Sequence, residues 1–466
     1  MAERKPVHIT KEQLAEQRGY AAEVSAMENR PRSYHVVTYG CQMNAHDSEK
    51  LSGMLRQMGM EEAPTREDAD FVIFNTCCVR DNAERRALGN VTWLKEVRKK
   101  NPNLIIAVCG CMIQQPGMAE KILKQYKFID LAFGTSNLWR LPELLHRTLR
   151  SDRSVVVVEE EDSIAEDLPV QRLRQDAAYI TIMYGCDNFC SYCIVPYVRG
   201  RERSRDPEAI LREARELHAS GVKEIMLLGQ NVNSYGKGLE CGMNFPELLR
   251  RLDEVGIPRI RFMTSHPKDL SDELIEVLGQ SKHILPQFHL PVQHGNDEIL
   301  RRMNRRYTRE QYLDKVRKLR QAVPGIGLTT DIIVGFPGET EEQFLDTLSI
   351  VEEVGYDSAF TFIYSPRTGT VAASMEDQIP EDVATDRIKR LIAAQEAGQK
   401  KAMSRFIGSE EEVLVEGLSR RSDKAVSGHG RHGVSITFPG TESDIGQIVR
   451  VRVTEMKNNT LMGERI

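Results

Sequence analysis

The sequence predicts an α/β protein in three parts: an open parallel α/β sheet, a partial (βα)6 barrel and a small all-β barrel. Three observations predict it. Short apolar runs alternate with amphipathic stretches from about residue 33; the alternation pauses at an acidic run after residue 158 and restarts near residue 178; past residue 402 only short strand-like runs remain, separated by Gly-rich or polar turns. Composition agrees with a folded chain. Of 466 residues, 40% are hydrophobic and 28% charged, and 63 basic against 68 acidic residues leave a net charge of −5, so any polyanion site is a local patch rather than a global field.

The first 32 residues are polar and irregular and read as an extension or a loose first helix. Residues 34–39, 71–75, 104–108 and 128–133 read as strands, with helices at 45–58, 81–100, 117–125 and 139–150. Strands alternating with helices of that length imply parallel βαβ units, here a domain over 33–150. Residues 151–171, with Glu159 to Asp162, Glu166 and Asp167, read as a solvated acidic linker. From 172 to 402, strands at 178–183, 224–228, 259–263, 288–292, 328–334 and 358–364 alternate with helices near 207–219, 245–254, 269–279, 308–321, 340–353 and 383–404. Six such units suit a partial TIM-like barrel, whose chemistry belongs at the C-terminal ends of its strands. Strands at 413–415, 435–438 and 448–453 mark the small barrel of 403–466.

Nine cysteines are too few, and odd in number, for a disulfide scaffold. The first 17 residues lack the apolar core of a signal peptide, and no apolar run approaches the ~18 residues of a membrane span. A soluble protein of the reducing cytoplasm follows, with thiols available as ligands or nucleophiles. Cys186, Cys190 and Cys193 stand in one eight-residue loop after the first barrel strand. Three thiolates there can converge on one metal centre and leave a position open, for water on zinc or for an exogenous ligand on a 4Fe-4S cluster. A dispersed set, Cys41, Cys77 and Cys111, follows the first three strands of the N-terminal sheet, whose carboxyl edge is where ligands bind. Small apolar Cys is equally a core residue, and Cys78, Cys109 and Cys241 are left over.

Together Thr38-Tyr-Gly-Cys-Gln-Met-Asn44, Asn75-Thr-Cys77, Gly110-Cys111, Gly185-Cys186 through Cys193, Gly229-Gln-Asn-Val-Asn-Ser-Tyr235, His289-Leu-Pro-Val-Gln293 and Asp331-Ile-Ile-Val-Gly-Phe-Pro-Gly-Glu-Thr340 resemble the methylthiotransferase family of radical S-adenosylmethionine enzymes, from about residue 33 to 466. Residues 193–205 bring the likeness nearest to the members that act on tRNA. The resemblance implies a radical SAM barrel and two 4Fe-4S clusters, a radical-generating one on Cys186, Cys190 and Cys193 and an auxiliary, sulfur-carrying one on Cys41, Cys77 and Cys111. It implies two S-adenosyl-L-methionine per turnover, one methylating the sulfur and one yielding the radical that abstracts hydrogen from adenine C2. The substrate implied is N6-dimethylallyladenosine at position 37, in the tRNA anticodon stem-loop. Relatives acting on threonylcarbamoyl-adenosine or on a ribosomal-protein aspartate are the enzyme alternatives, and a non-catalytic iron–sulfur RNA-binding carrier is the alternative of another class. An electron donor such as flavodoxin or ferredoxin, no membrane and a monomer complete the expectation. His294 and Asn296 depart from the small residues many relatives have there, and Cys78 and Cys109 adjoin two presumed ligands.

Gln230 and Asn231 follow the second barrel strand, Gly335 the fifth, and Tyr192 lies between cluster cysteines; these are candidate S-adenosylmethionine contacts, with loop structure or barrel packing as the alternative. For RNA, residues 301–320 carry a formal +7, including Arg301, Arg302, Arg305 and Arg306, and Arg199, Arg201, Arg203 and Arg205 form a second cluster. Their place after barrel strands favours phosphate contact over a solvated face. The last segment resembles a TRAM domain, with Arg431, Phe438, Arg450 and Arg452 as candidate RNA contacts.

Overall fold

The computed structural model describes residues 7–466 apart from 79–80, 152–153, 160–161, 421 and 459, and apart from the side chains of 81–83 and 85. Part of the N-terminal extension, Val79 and Arg80 of the second cysteine motif, and Glu160 and Glu161 of the acidic run therefore lie outside the described residues. The chain forms two compact units, Met1–Leu173 with Met183–Asp187 and Cys193–Arg205, and Arg174–Ile182 with Asn188–Tyr192 and Asp206–Ile466.

The first unit is built on a six-stranded, all-parallel sheet in the order Glu61–Glu62, Ser33–Thr38, Phe71–Thr76, Ile105–Gly110, Leu131–Phe133, Val155–Val157. Its central strand Phe71–Thr76 is buried throughout and splits its side chains by alternation: Phe71 and Ile73 enter one core with Tyr34, Leu51 and Phe133, while Val72 and Phe74 enter the other with Val91, Ile106 and Ile122. Of the two forms expected for the N-terminal segment, the helix is the one present: Lys11–Ala26 starts at a Thr10/Gln13 capping box and packs Ala21 and Val24 into the first core. The supposed linker supplies the sixth strand, Val155–Val157, and its Asp162 is buried against Arg203 at 3.5 Å. Asp162 and Glu166 thus face the buried Arg203 and Arg205, while Glu159 stays exposed.

The second unit holds six parallel strands in two runs of three, Ala177–Thr181, Glu224–Leu228, Arg259–Phe262 and then Gln287–His289, Gly327–Val334, Ser358–Ile363. An Ile260–Ile284 bridge joins the runs, and no pairing closes the first strand on the last among the described residues, which gives the partial barrel. The C-terminal strands Glu410–Ser419, Ser422–His429, Ser435–Pro439, Thr460–Arg465 and Ile448–Lys457 close into a five-stranded barrel in that order. Val413, Val415, Ile436, Val449, Val451 and Val453 fill it.

Candidate functional site

In the first unit the cysteines of the dispersed set each open the loop after one of three adjacent strands. Cys41 is the N-cap of the helix Gln42–Gln57, Cys77 follows Phe71–Thr76, and Cys111 follows Ile105–Gly110. Thr38 pairs with Asn75 and Thr76 with Gly110, so the three loops leave the sheet at one edge. Gly40 adopts φ +124°, and a Cβ there would stand 2.6 Å from that of Cys77, so a glycine lets the first loop close on the second. Cys109 lies on the opposite face, in the core with Phe133 and Leu131, and burial raises its thiol well above the ordinary range. Alternation within a strand would set Cys109 and Cys111 on one face; the turn at Gly110, φ +96°, ends the strand there and sends Cys111 into the other core. Cys78 remains beside Cys111 and donates to it; that bond and the neighbouring Arg199 guanidinium pull the Cys111 thiol below its ordinary value against the cost of burial.

Arg199 is 7% exposed and reaches into this edge. Its Nε donates to Cys111 Sγ at 3.1 Å, Nη2 to Asn44 Oδ1 at 3.0 Å, and Nη1 faces Asp47 at 2.8 Å. The Cys41 thiol donates to the same Asn44 oxygen at 3.6 Å. The segment that carries Arg199 is itself core: Ile194 and Val198 pack with Val72, Phe74, Cys78 and Cys111. Among the described residues no three Cys, His or carboxylate side chains converge on a single metal position. A 4Fe-4S cluster asks for something else, one thiolate on each of three irons, so its sulfurs stand apart. The edge supplies soft thiol donors, one lowered in pKa, beside a cation, and such a donor set fits an iron–sulfur group.

The loop from Cys186 to Cys193 is tightly held within each unit. In the first, Gly185 has φ +69° where a Cβ would strike the Arg201 carbonyl at 2.0 Å, and the Cys186 amide donates to the Gly200 carbonyl at 3.2 Å. In the second, Phe189 takes φ +45°, and Asn304 Nδ2 donates to the carbonyls of Asn188 and Phe189 at 3.1 and 2.9 Å. Arg305, 4% exposed, donates to Cys190 Sγ and to the Tyr192 hydroxyl, each at 3.4 Å. Tyr192 packs against Met303 and Phe336 of the barrel.

The strand ends of the partial barrel carry buried polar atoms that no protein group satisfies: Gln230 Oε1, Asn231 Oδ1, both side-chain atoms of Asn233, His266 Nε2 and the Tyr364 hydroxyl. His266 Nδ1 accepts from the Lys268 amide, which leaves Nε2 as the donor, and burial with Arg305 nearby keeps the ring neutral. So many orphaned donors and acceptors at one strand edge fit a polar ligand such as S-adenosylmethionine. Asn233, His266 and Tyr364 are not among the contacts the sequence suggests, although position at or after the end of a barrel strand is a signal that covers them. Gly335 donates its N–H to the Glu339 carboxylate, and a Cβ there would meet that of Ala384. His294 and Asn296 are also structural, since His294 Nδ1 accepts from the Asn296 amide while the Asn296 side chain caps the helix Asp297–Arg302.

The expected RNA-contacting arginines divide sharply. Arg199, Arg203 and Arg305 are buried, and Arg203 spends its N–H groups on the carbonyls of Ser163, Arg199 and Arg201. Arg205 is buried against Glu166, and Arg201 pairs with Asp187. Arg302 pairs with Asp377. Arg301 and Arg306 are exposed and line an open recess with Tyr307 and Gln311, which Asp297 and Glu298 also border. In the C-terminal barrel Phe438 is core, because it points inward on its strand, while Arg450 and Arg452 are exposed beside Glu410 and Arg431 meets Glu412. No described helix is long and apolar enough to cross a membrane.

Comparison with known proteins places these parts. The chain matches the Radical SAM superfamily over residues 180–351, the family described as Uncharacterized protein family UPF0004 over 33–134, and the TRAM domain over 404–466. In structure it is similar to a radical S-adenosylmethionine methyltransferase, TsrM, from Kitasatospora setae, at TM-score 0.55 and 15% identity over 73% of this chain and 77% of that one, which is a likeness of fold. In sequence it is 54% identical over 434 residues to a tRNA-2-methylthio-N(6)-dimethylallyladenosine synthase of Clostridium perfringens strain SM101, covering 92% of this chain and 96% of the relative. It is 53% identical to the synthase of that name from Clostridium botulinum strain Langeland, covering 93% and 97%. Identity at that level over nearly the whole of both chains, joined to a radical SAM barrel and a C-terminal TRAM domain, shows that this chain belongs to the family of tRNA-2-methylthio-N(6)-dimethylallyladenosine synthases.

Proposed function

We propose that this enzyme converts N6-dimethylallyladenosine at position 37 of tRNA to its 2-methylthio derivative, with two S-adenosyl-L-methionine per turnover and two 4Fe-4S clusters. The observation that carries the two-cluster reading is the placement of Cys41, Cys77 and Cys111 at the heads of three adjacent loops of one sheet edge, apart in sequence from the contiguous Cys186, Cys190 and Cys193. When bound, the clusters and S-adenosylmethionine supply the radical, sulfur and methyl group that an unreactive aromatic C–H demands and side chains lack. The chain's own residues hold and orient. Cys186, Cys190 and Cys193 ligate the radical-generating cluster, and Cys41, Cys77 and Cys111 the auxiliary one. Gln230, Asn231, Asn233 and His266 offer S-adenosylmethionine their unmatched amide and imidazole groups. Arg305 holds the Tyr192 hydroxyl beside Cys190. Arg301 and Arg306 meet phosphates of the anticodon stem-loop, with Arg450 and Arg452 as further contacts. The protein works as a cytoplasmic monomer and takes its electrons from a flavodoxin or ferredoxin.

Nucleoside mass spectrometry of tRNA from cells lacking the protein tests the reaction. Loss of the 2-methylthio derivative with accumulation of dimethylallyladenosine is expected; an unchanged profile overturns the reading. Anaerobically reconstituted protein is expected to hold about eight irons and the Cys186→Ala, Cys190→Ala, Cys193→Ala variant about four. Retention of all eight by the variant overturns the partition.

A further inference from the structure

The Arg199 guanidinium spends donors in three directions at once, on Cys111 Sγ, on Asn44 Oδ1 and on Asp47. Asn44 is fixed from behind, with Nδ2 donating to Asn75 Oδ1 and to the Thr76 carbonyl at 3.3 and 3.1 Å, so its oxygen is the atom left to face Arg199 and the Cys41 thiol. One buried cation thus touches one sheet-edge thiol directly and another through a single carboxamide oxygen. Burying an ion pair strips both charges of water, and apolar residues of similar volume often fill such a place at lower cost. A charge kept here has something to act on.

We propose that Arg199 is the positioning residue of the sheet-edge cluster, orienting Cys111 and Asn44 and raising the reduction potential of the cluster that Cys41, Cys77 and Cys111 hold. The proposal rests on the two-cluster reading. Three thiolates make such a centre negative, and an added electron makes it more so; an N–H donor on a ligand sulfur and a nearby cation stabilise that reduced state more than the oxidised one. Asp47, 2.8 Å from the guanidinium, opposes the effect, so the two residues are levers of opposite sign on one potential.

The Cys186→Ala, Cys190→Ala, Cys193→Ala protein, reconstituted, isolates the sheet-edge cluster. In that background Arg199→Gln, Arg199→Lys and Asp47→Asn are compared by iron content, by midpoint potential in a spectroelectrochemical titration and by thermal melting. All three are expected to keep about four irons. Arg199→Gln should shift the midpoint negative, and Asp47→Asn should shift it positive. Arg199→Lys should fall between the parent and Arg199→Gln, because lysine keeps the charge but not the planar fork. Unchanged midpoints, or shifts of Arg199→Gln and Asp47→Asn in the same direction, accompanied by lowered melting temperatures, would mean a merely structural ion pair and overturn the proposal. Where Arg199→Gln does not hold iron, the opposite or equal signs of the other two variants decide in the same way. A parent that holds no iron would instead remove the two-cluster reading, and the proposal with it.

Discussion

Arg259 is 2% exposed and serves two modules of the second unit at once. Its Nε pairs with Glu224 at 2.8 Å on the neighbouring strand, and its terminal nitrogens donate to the carbonyls of Glu412, His429 and Gly430 in the C-terminal barrel, at 3.2, 2.9 and 3.3 Å. Replacing it by methionine leaves Glu224 buried with only Arg261, at 3.1 Å, for company. The expected cost is about 3 kcal/mol, the low end for breaking a buried pair because that second arginine stays; a denaturant titration of Arg259→Met measures it. Residues of this kind were the hardest to read from sequence. The triad Cys186, Cys190, Cys193 is legible because its spacing is local, whereas Arg199 meets Cys111 across 88 positions and Arg305 meets Cys190 across 115. Lacking those distant partners, both looked like members of basic clusters.

At the scale of elements the six strands of the partial barrel are legible, since each lies on a short apolar run, whereas Ser422–His429 and Thr460–Arg465 of the C-terminal barrel are too polar to stand out as such runs. The helix Lys11–Ala26 is less legible, because it has no apolar stripe: only Gln17, Ala21 and Val24 are buried along it. Its evidence is its capping box. The helix Glu341–Val354 carries the same device, with Thr340 accepting from the Gln343 amide and the Gln343 side chain accepting from the Thr340 amide. Thr340→Ala is expected to cost about 1 kcal/mol without altering iron content, measured by melting of the reconstituted protein. A larger loss would mean that the cap also secures the preceding Gly335–Glu339 turn. The Phe438 error belongs to this scale too: the run 435–438 was read as a strand, but the face each residue takes follows from closure of the five-stranded barrel.

For the whole molecule, the formal +7 of residues 301–320, in which Glu310 and Asp314 are already counted, shrinks once partners outside the segment are included. Arg302, Arg309 and Lys318 face Asp377, Glu353 and Asp272, Arg305 is inside, and Lys315 and Arg320 donate to the carbonyls of Leu270 and Val354. Arg301 and Arg306 are exposed side by side on one recess, the former against Glu298. An exposed pair of that kind is worth little to the fold, so Arg301→Glu with Arg306→Glu should leave melting unchanged while weakening anticodon stem-loop binding about tenfold and reducing its salt slope by about 1 to 2. Filter binding at several salt concentrations checks both.

The first compact unit also takes in Met183–Asp187 and Cys193–Arg205, which follow the first barrel strand in sequence. This matters during synthesis. A nascent chain released as far as Leu173 has its parallel sheet but lacks Ile194, Val198 and the arginines that answer Asp47, Asp162 and Glu166. The N-terminal unit therefore completes only once Arg205 has left the ribosome, by which time the first barrel strand is already outside and waiting. Chains stalled to expose residue 173 should be cut by a protease that spares those exposing residue 205, so synthesis of the barrel must begin before the N-terminal unit can finish folding.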